Sequence, residues 1–183
     1  MISIQYAVYL ALTCELKSIM NIEYRTLLPH ESKAYRTIRL ESLEKFPEAF
    51  GAKYEEALQI EKFRMENDIE NQLSERFVVG AFINNELVGI CAFVKEEDHT
   101  GHIYQMYIKE NFQGKNIGLG LIQEVVKEAE TRFDAIEIIL EVTHNNIKAY
   151  QLYKKFGFNE VIETHKSKKS NPHVVMRYNK NQF

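Results

Sequence analysis

The sequence predicts a single α/β domain in which strands and helices alternate. Three observations carry that reading. A glycine-rich turn, Phe112–Gly120, joins the strand-like run Ile103–Ile108 to the amphipathic run Leu121–Glu130. A second block over 135–158 contains a strand, a turn, a helix and the start of another strand. Two apolar runs, Arg76–Ile83 and Glu86–Lys95, flank Asn84-Asn85, a pair suited to a hairpin turn.

The elements follow in chain order. Ile2 to Leu12 is apolar, yet no basic residue precedes it and no small-residue cleavage pattern follows. It is too short to span a membrane. Residues 1–20 are therefore read as an N-terminal extension that packs against something, and 21–183 as the domain. Asn21–Leu28 is the first strand. Pro29–Phe46 is helical, with Pro29 in its first turn and a stop before Pro47. A second helix is expected over about Tyr54–Leu73, with Ala57, Leu58, Ile60 and Phe63 on its apolar side. The hairpin comes next, then the strand Ile103–Ile108, the glycine-rich turn and its helix. Residues 135–143 form a β-branched strand. His144-Asn145-Asn146 is a turn with helix-capping character. Ile147–Phe156 is a helix closed by Gly157, and Phe158 starts another strand.

Composition narrows the function classes. The chain has 183 residues, 45% of them hydrophobic, which is ample for one core and short for two domains. A formal charge of −3 disfavours general nucleic-acid binding. The cysteines, Cys14 and Cys91, are far apart, and no metal-ligand spacing occurs. A reducing, cytoplasmic compartment fits. One basic cluster, His165–Ser170, reads as a solvated hairpin loop, with contact to an anionic group as its alternative.

The turn at 112–120 carries the chemistry. A helix opening after a glycine-rich turn leaves several N–H groups without intrahelical partners, all directed at one spot. The helix dipole adds about half a positive charge there, so a phosphate or pyrophosphate is the natural occupant. No Gly-Lys-Ser/Thr is present, which excludes the P-loop, and the glycine spacing is wrong for the dinucleotide fingerprint.

Gln113-Gly114-Lys115-Asn116-Ile117-Gly118 resembles the Gln/Arg-x-x-Gly-x-Gly/Ala loop of the GCN5-related N-acetyltransferases (GNAT), which grips the pyrophosphate of coenzyme A. Asn116 stands where that family usually has its first glycine. Asn is the residue after glycine that best tolerates the left-handed conformation. The order Leu140-Glu141-Val142, Asn146, Ala149, Leu152-Tyr153 and Phe156-Gly157-Phe158 resembles the family's C-terminal block. The resemblance spans roughly 22–179. It implies a mixed, mainly antiparallel sheet of about seven strands flanked by helices. It also implies acetyl-CoA as co-substrate, with no metal.

Residue roles follow from the same resemblance. Cofactor contacts fall on Met106, Tyr107, Ile108, Gln113, Gly114, Lys115, Asn116, Ile117, Gly118, Leu119, Asn146 and Tyr153. The strand before the loop splays from its neighbour and admits the pantetheine arm. Transfer needs a neutral amine. With a pKa near 10.4, only about one amine in a few thousand is unprotonated at pH 7. A base, direct or through water, must take the proton, and an acid must protonate the leaving thiolate. Tyr153 matches the family's acid. His102 occupies the position of the glutamate base found in some members, and its imidazole suits neutral pH. Glu96 and Glu97 are further candidates. The expected activity is direct acetyl transfer to a primary amine of a small molecule or peptide. A CoA-binding sensor without activity is the alternative. The first two helices are expected to shape the acceptor pocket, with Phe46–Gly51 at its border. Dimers are common in that family, so the resemblance allows a homodimer.

Overall fold

The computed structural model describes residues 21–96, 99–161 and 173–180. The extension, Glu97 and the basic cluster His165–Ser170 lie outside the described residues. Seven strands are formed: β1 (Ile22–Thr26), β2 (Arg76–Ile83), β3 (Glu86–Lys95), β4 (Thr100–Ile108), β5 (Glu137–Thr143), β6 (Phe158–Glu160) and β7 (His173–Tyr178). They join one sheet in the order β1-β2-β3-β4-β5-β7-β6. Only β4 and β5 run parallel; every other pairing is antiparallel. The α-helices are α1 (Ser32–Lys45), α2 (Tyr54–Leu58), α3 (Arg64–Glu70), α4 (Ile117–Arg132) and α5 (Ile147–Lys155). This is the mixed, mainly antiparallel architecture expected from the sequence.

The period of two along the central strands builds two cores. Phe77, Val79, Ala81 and Ile83 of β2 pack on one face with Leu121, Val125 and Ala129 of α4 and Tyr153 of α5. Val78 and Phe82 look the other way and meet Tyr35 and Ile38 of α1 and Met65 and Ile69 of α3. In α4 the buried residues Ile117, Leu121, Ile122, Val125, Val126 and Ala129 form one helical stripe. The hairpin turns where expected. Asn84 and Asn85 have φ of 51° and 64°, the pair of positive values that a two-residue turn needs to match the twist of its strands.

The expected second helix is two short helices. Its break has a tertiary cause. Arg36 of α1 pairs with Glu66 at 2.9 Å and also donates to the Ile60 carbonyl at 2.6 Å. Glu66 in turn accepts the Phe63 N–H at 2.7 Å and so caps a fresh helix there. Ala57 is buried, but Leu58 and Ile60 are exposed, against the expected apolar face. At its start, α1 is preceded by a 3-10 turn, Pro29–Glu31, in which Glu31 accepts the Leu28 N–H and pairs with Arg25.

Candidate active site

Two breaks in regular pairing build the site. The first is a bulge in β4. Ile90 faces Tyr107 and Ala92 faces Tyr104, so one residue of β3 stands against two of β4. Gln105 takes the strain with φ 54°. The bulge turns Tyr107 onto the same face as Tyr104. The second break lies between the parallel strands. Their pairing runs from Thr100–Glu137 to Ile103–Leu140 and stops, although both strands continue. This is the splay expected from the resemblance. The opening leads into a cavity of about 1100 Å³. Met106, Tyr107 and Ile108 line it from β4, and Glu141, Val142 and Thr143 from β5.

The glycine-rich turn closes one end of that cavity. Gly114 has φ 76°, and Asn116 sits in the left-handed region at φ 61°, ψ 13°. Asparagine thus adopts the conformation for which the glycine of the GNAT pattern is suited. Among the described residues, the N–H groups of Gly114, Lys115, Asn116, Ile117 and Gly118 have no backbone acceptor; the bonds at this helix start begin with Leu119, which donates to the Asn116 carbonyl. Gln113, Gly114, Asn116, Ile117, Gly118 and Leu119 line the cavity. The Gln113 side chain donates to the Ile108 carbonyl at 2.9 Å and ties the turn to the end of β4. Lys115 lies 5.3 Å over the ring of Phe112. The two glycines of α4 differ in role. A Cβ on Gly118 would stand 3.0 Å from Leu152 Cδ2 and Met106 Cε, so its absence keeps the cradle open. A Cβ on Gly120 would run into the ring of Tyr24, a packing constraint away from the cavity.

On the opposite wall, α5 supplies Asn146 and Tyr153. Asn146 caps the helix by accepting the Ala149 N–H at 3.2 Å, and it lines the cavity. Tyr153 is 7% exposed. Its hydroxyl donates to Met106 Sδ at 3.5 Å. Burial raises its pKa, so the phenol keeps its proton throughout the neutral range, as a proton donor must. Cys91 is fully buried and its thiol is also pushed up by burial, which removes it as a nucleophile.

His102 falls elsewhere. It lies opposite Ile139, where β4 and β5 still pair and the sheet is closed. Its ring stacks on Tyr104 at 5.7 Å and does not line the cavity. The carboxylates that do line it are Glu96 and Glu141. Both raise the pKa of Tyr104, after burial, which places them around that phenol.

Helices α1 and α3, through Arg39 and Met65, and the segment after α1 form a further part of the wall. Phe46, Ala49, Phe50 and Gly51 line it, as expected for the 46–51 segment. Tyr107, already expected at the site, has a partner that was not anticipated, and Arg39 is a lining residue that was not. Tyr107 donates to Glu41 Oε1 at 2.8 Å, and burial and that carboxylate raise its pKa. Arg39 also lines the cavity. Its signal was present in the sequence: it puts a charge into the stripe Tyr35, Ile38, Ser42, Leu43 of α1, otherwise free of charge and buried.

Among the described residues, no cluster of three or more His, Cys, Asp or Glu could hold a metal ion. No helix among them is long and apolar enough to cross a membrane.

Known proteins are similar to this chain in sequence and in fold. The sequence is similar to a spermine/spermidine N(1)-acetyltransferase of Bacillus subtilis (strain 168), 28% identical over 87 residues, 44% of this chain and 57% of that protein. It is also similar to an N-alpha-acetyltransferase of Sulfolobus acidocaldarius, 39% identical over 61 residues, 33% of this chain and 36% of that one. The chain thus spans little more than half of the first relative and about a third of the second. In three dimensions it resembles the PaiA N-acetyltransferase of Thermoplasma acidophilum in complex with coenzyme A, with a TM-score of 0.69 at 21% identity, over 87% of this chain and 99% of that chain. A GNAT acetyltransferase of Streptococcus pneumoniae gives 0.67 at 18% identity, over 86% and 98%. The sequence model of the acetyltransferase (GNAT) family matches residues 36–158. With that match covering most of the chain, the protein belongs to the GNAT family of acetyltransferases.

Proposed function

We propose that the protein transfers the acetyl group of acetyl-CoA directly to a primary amine of a small molecule or peptide. One observation carries this reading: the slot between β4 and β5 runs from unpaired amides at one end to a protonated, buried phenol at its side. The diphosphate of acetyl-CoA would be held by the amides of Gly114–Gly118, aided by the dipole of α4. Gln113 and Lys115 frame the turn, and Ile117 and Leu119 form its apolar floor. The pantetheine amides would pair with backbone groups of Met106, Tyr107 and Ile108, in the manner of an added strand. Asn146 borders the arm from α5.

The chemistry balances without an acyl-enzyme. The amine nitrogen forms its bond to the thioester carbon, and the carbonyl oxygen takes the negative charge. A backbone N–H at the β4 bulge can offset that charge, an effect worth a few kcal/mol. The C–S bond then breaks, the thiolate takes the Tyr153 proton, and water returns a proton to the phenolate. The proton shed by the amine leaves through water toward Glu96 and Glu141. In this reading His102 stands behind Tyr104 and serves only as a second relay. Relatives named a spermine/spermidine N(1)-acetyltransferase and an N-alpha-acetyltransferase make a primary amine the consistent acceptor.

A screen of amines with acetyl-CoA and thiol detection tests the reading. At least one amine should release CoA in step with its own acetylation. Tight acetyl-CoA binding with no thiol release across the panel would favour a sensor instead. Competition by ATP would point to a nucleotide site.

A further inference from the structure

Arg39 is 8% exposed and lines the cavity. A guanidinium has five N–H donors. One is used, from Nη1 to Ser42 Oγ at 3.2 Å, and the Ser42 hydroxyl itself donates back to the Arg39 carbonyl at 2.6 Å. Phe50 stacks under the guanidinium at 4.6 Å. Among the described residues no carboxylate pairs with it. The acidic groups on the neighbouring helix are taken: Glu66 by Arg36 at 2.9 Å and Asp68 by Arg76 at 2.5 Å. Burial lowers the Arg39 pKa, and only Tyr35 offsets it. A buried cation without a counter-ion is costly, so the cavity has reason to receive an anion there.

Arg39 is also linked through Tyr35 to the β4 bulge. Tyr35, one turn earlier on α1, interacts electrostatically with Arg39 and donates to Gln105 Oε1 at 2.6 Å. Gln105 is the left-handed residue of the β4 bulge. Phe46, Phe50, Met65 and Tyr107 line the same cavity as apolar or aromatic walls, with the Tyr107 hydroxyl held by Glu41. The planar fork of arginine suits a carboxylate held through two hydrogen bonds.

Taking acetyl transfer as the activity, we propose that Arg39 is a specificity residue that binds a carboxylate on the acceptor, so that the acceptor is an amine of the amino-acid class. Glu96 and Glu141 at the rim suit the ammonium group of the same molecule. A polyamine, which has no anion, leaves Arg39 unpaired.

Binding of acetylated products tests this without needing turnover. With CoA saturating, calorimetry compares a series of N-acetyl amino acids with their N-acetyl amides. The acid should bind at least tenfold more tightly than its amide for some side chain in the series. Arg39→Met should erase that preference while the acetyl-CoA affinity stays within twofold. Arg39→Lys should retain part of it, which guards against a Met variant that misfolds. Equal affinity for acid and amide, or no binding of either, overturns the proposal. So does thiol release with spermidine faster than with every amino acid tested. A succinyl-CoA arm separates the other source of a carboxylate. A preference for succinyl-CoA over acetyl-CoA that Arg39→Met removes, with no preference among acceptors, assigns the anion to the acyl group and refutes the acceptor assignment. If carboxylates bind as expected while no amine releases thiol, the site stands and the transferase reading falls.

Discussion

Replacing Tyr153 by Phe removes one hydroxyl from a fully packed position. The ring remains against Phe158, 6.0 Å away edge-on. Among the described residues, the only acceptor lost is the Met106 thioether at 3.5 Å, a weak partner, so stability should change by less than about 1 kcal/mol. Turnover should respond far more. At pH 7 a thiolate whose thiol pKa is about 8.5 lies about 2 kcal/mol above the protonated form. A donor at the sulfur can recover up to that amount, which sets a loss of about ten- to thirtyfold in kcat for Tyr153→Phe. Because burial holds the Tyr153 phenol protonated, the wild type keeps its donor as pH rises, whereas the departing thiolate needs it less. The gap between the two proteins should therefore narrow above about pH 8.5. Thiol release measured from pH 6.5 to 9.5 with the best amine of a screen, together with calorimetry of acetyl-CoA, checks both parts. Unchanged turnover, or a penalty that does not vary with pH, would remove Tyr153 from proton donation and leave it a packing residue.

The turn and the core supply further expectations. Asn116→Gly should keep acetyl-CoA affinity within about threefold, because either residue accepts φ 61°; Asn116→Val should lose about 1–2 kcal/mol of stability by denaturant titration. Gly118→Val should weaken acetyl-CoA binding at least tenfold in calorimetry, since its side chain fills the space in front of Leu152 and Met106. His102→Ala should lower kcat less than threefold, as its ring lies outside the cavity lining. Tyr35, Tyr107, Tyr153 and Cys91 all have raised pKa values, led by burial. The unfolded chain gives up these protons first on going alkaline. Their contribution to stability is thus complete at neutral pH and is lost as pH climbs above about 10, and above about 8.5 for the thiol. Urea midpoints at pH 7, 9 and 11 should show a fall confined to the alkaline end.

Local signals were legible where the chemistry is local. Asn84-Asn85 announced a hairpin because two consecutive positive φ values select very few residues. The glycine-rich turn announced an anion site because backbone geometry alone makes it, and Asn116 proved able to take the glycine's conformation. Interruptions set by distant partners were hidden. The break between α2 and α3 depends on Arg36, some thirty residues from Glu66. The bulge at Gln105 has no composition signal, since glutamine is not selected by positive φ; the side chain is held by Tyr35 of α1, distant in sequence. Counting along the strand placed His102 at a plausible distance from the turn. It did not reveal that β4 and β5 are still closed against each other at that level.

The most direct measurement is a crystal structure with acetyl-CoA, supported by calorimetry on the same protein. The diphosphate should rest on the amides from Gly114 to Gly118, with the arm lying between β4 and β5 and the sulfur beside the Tyr153 hydroxyl. A diphosphate seated elsewhere, or no binding at millimolar acetyl-CoA, would contradict the account.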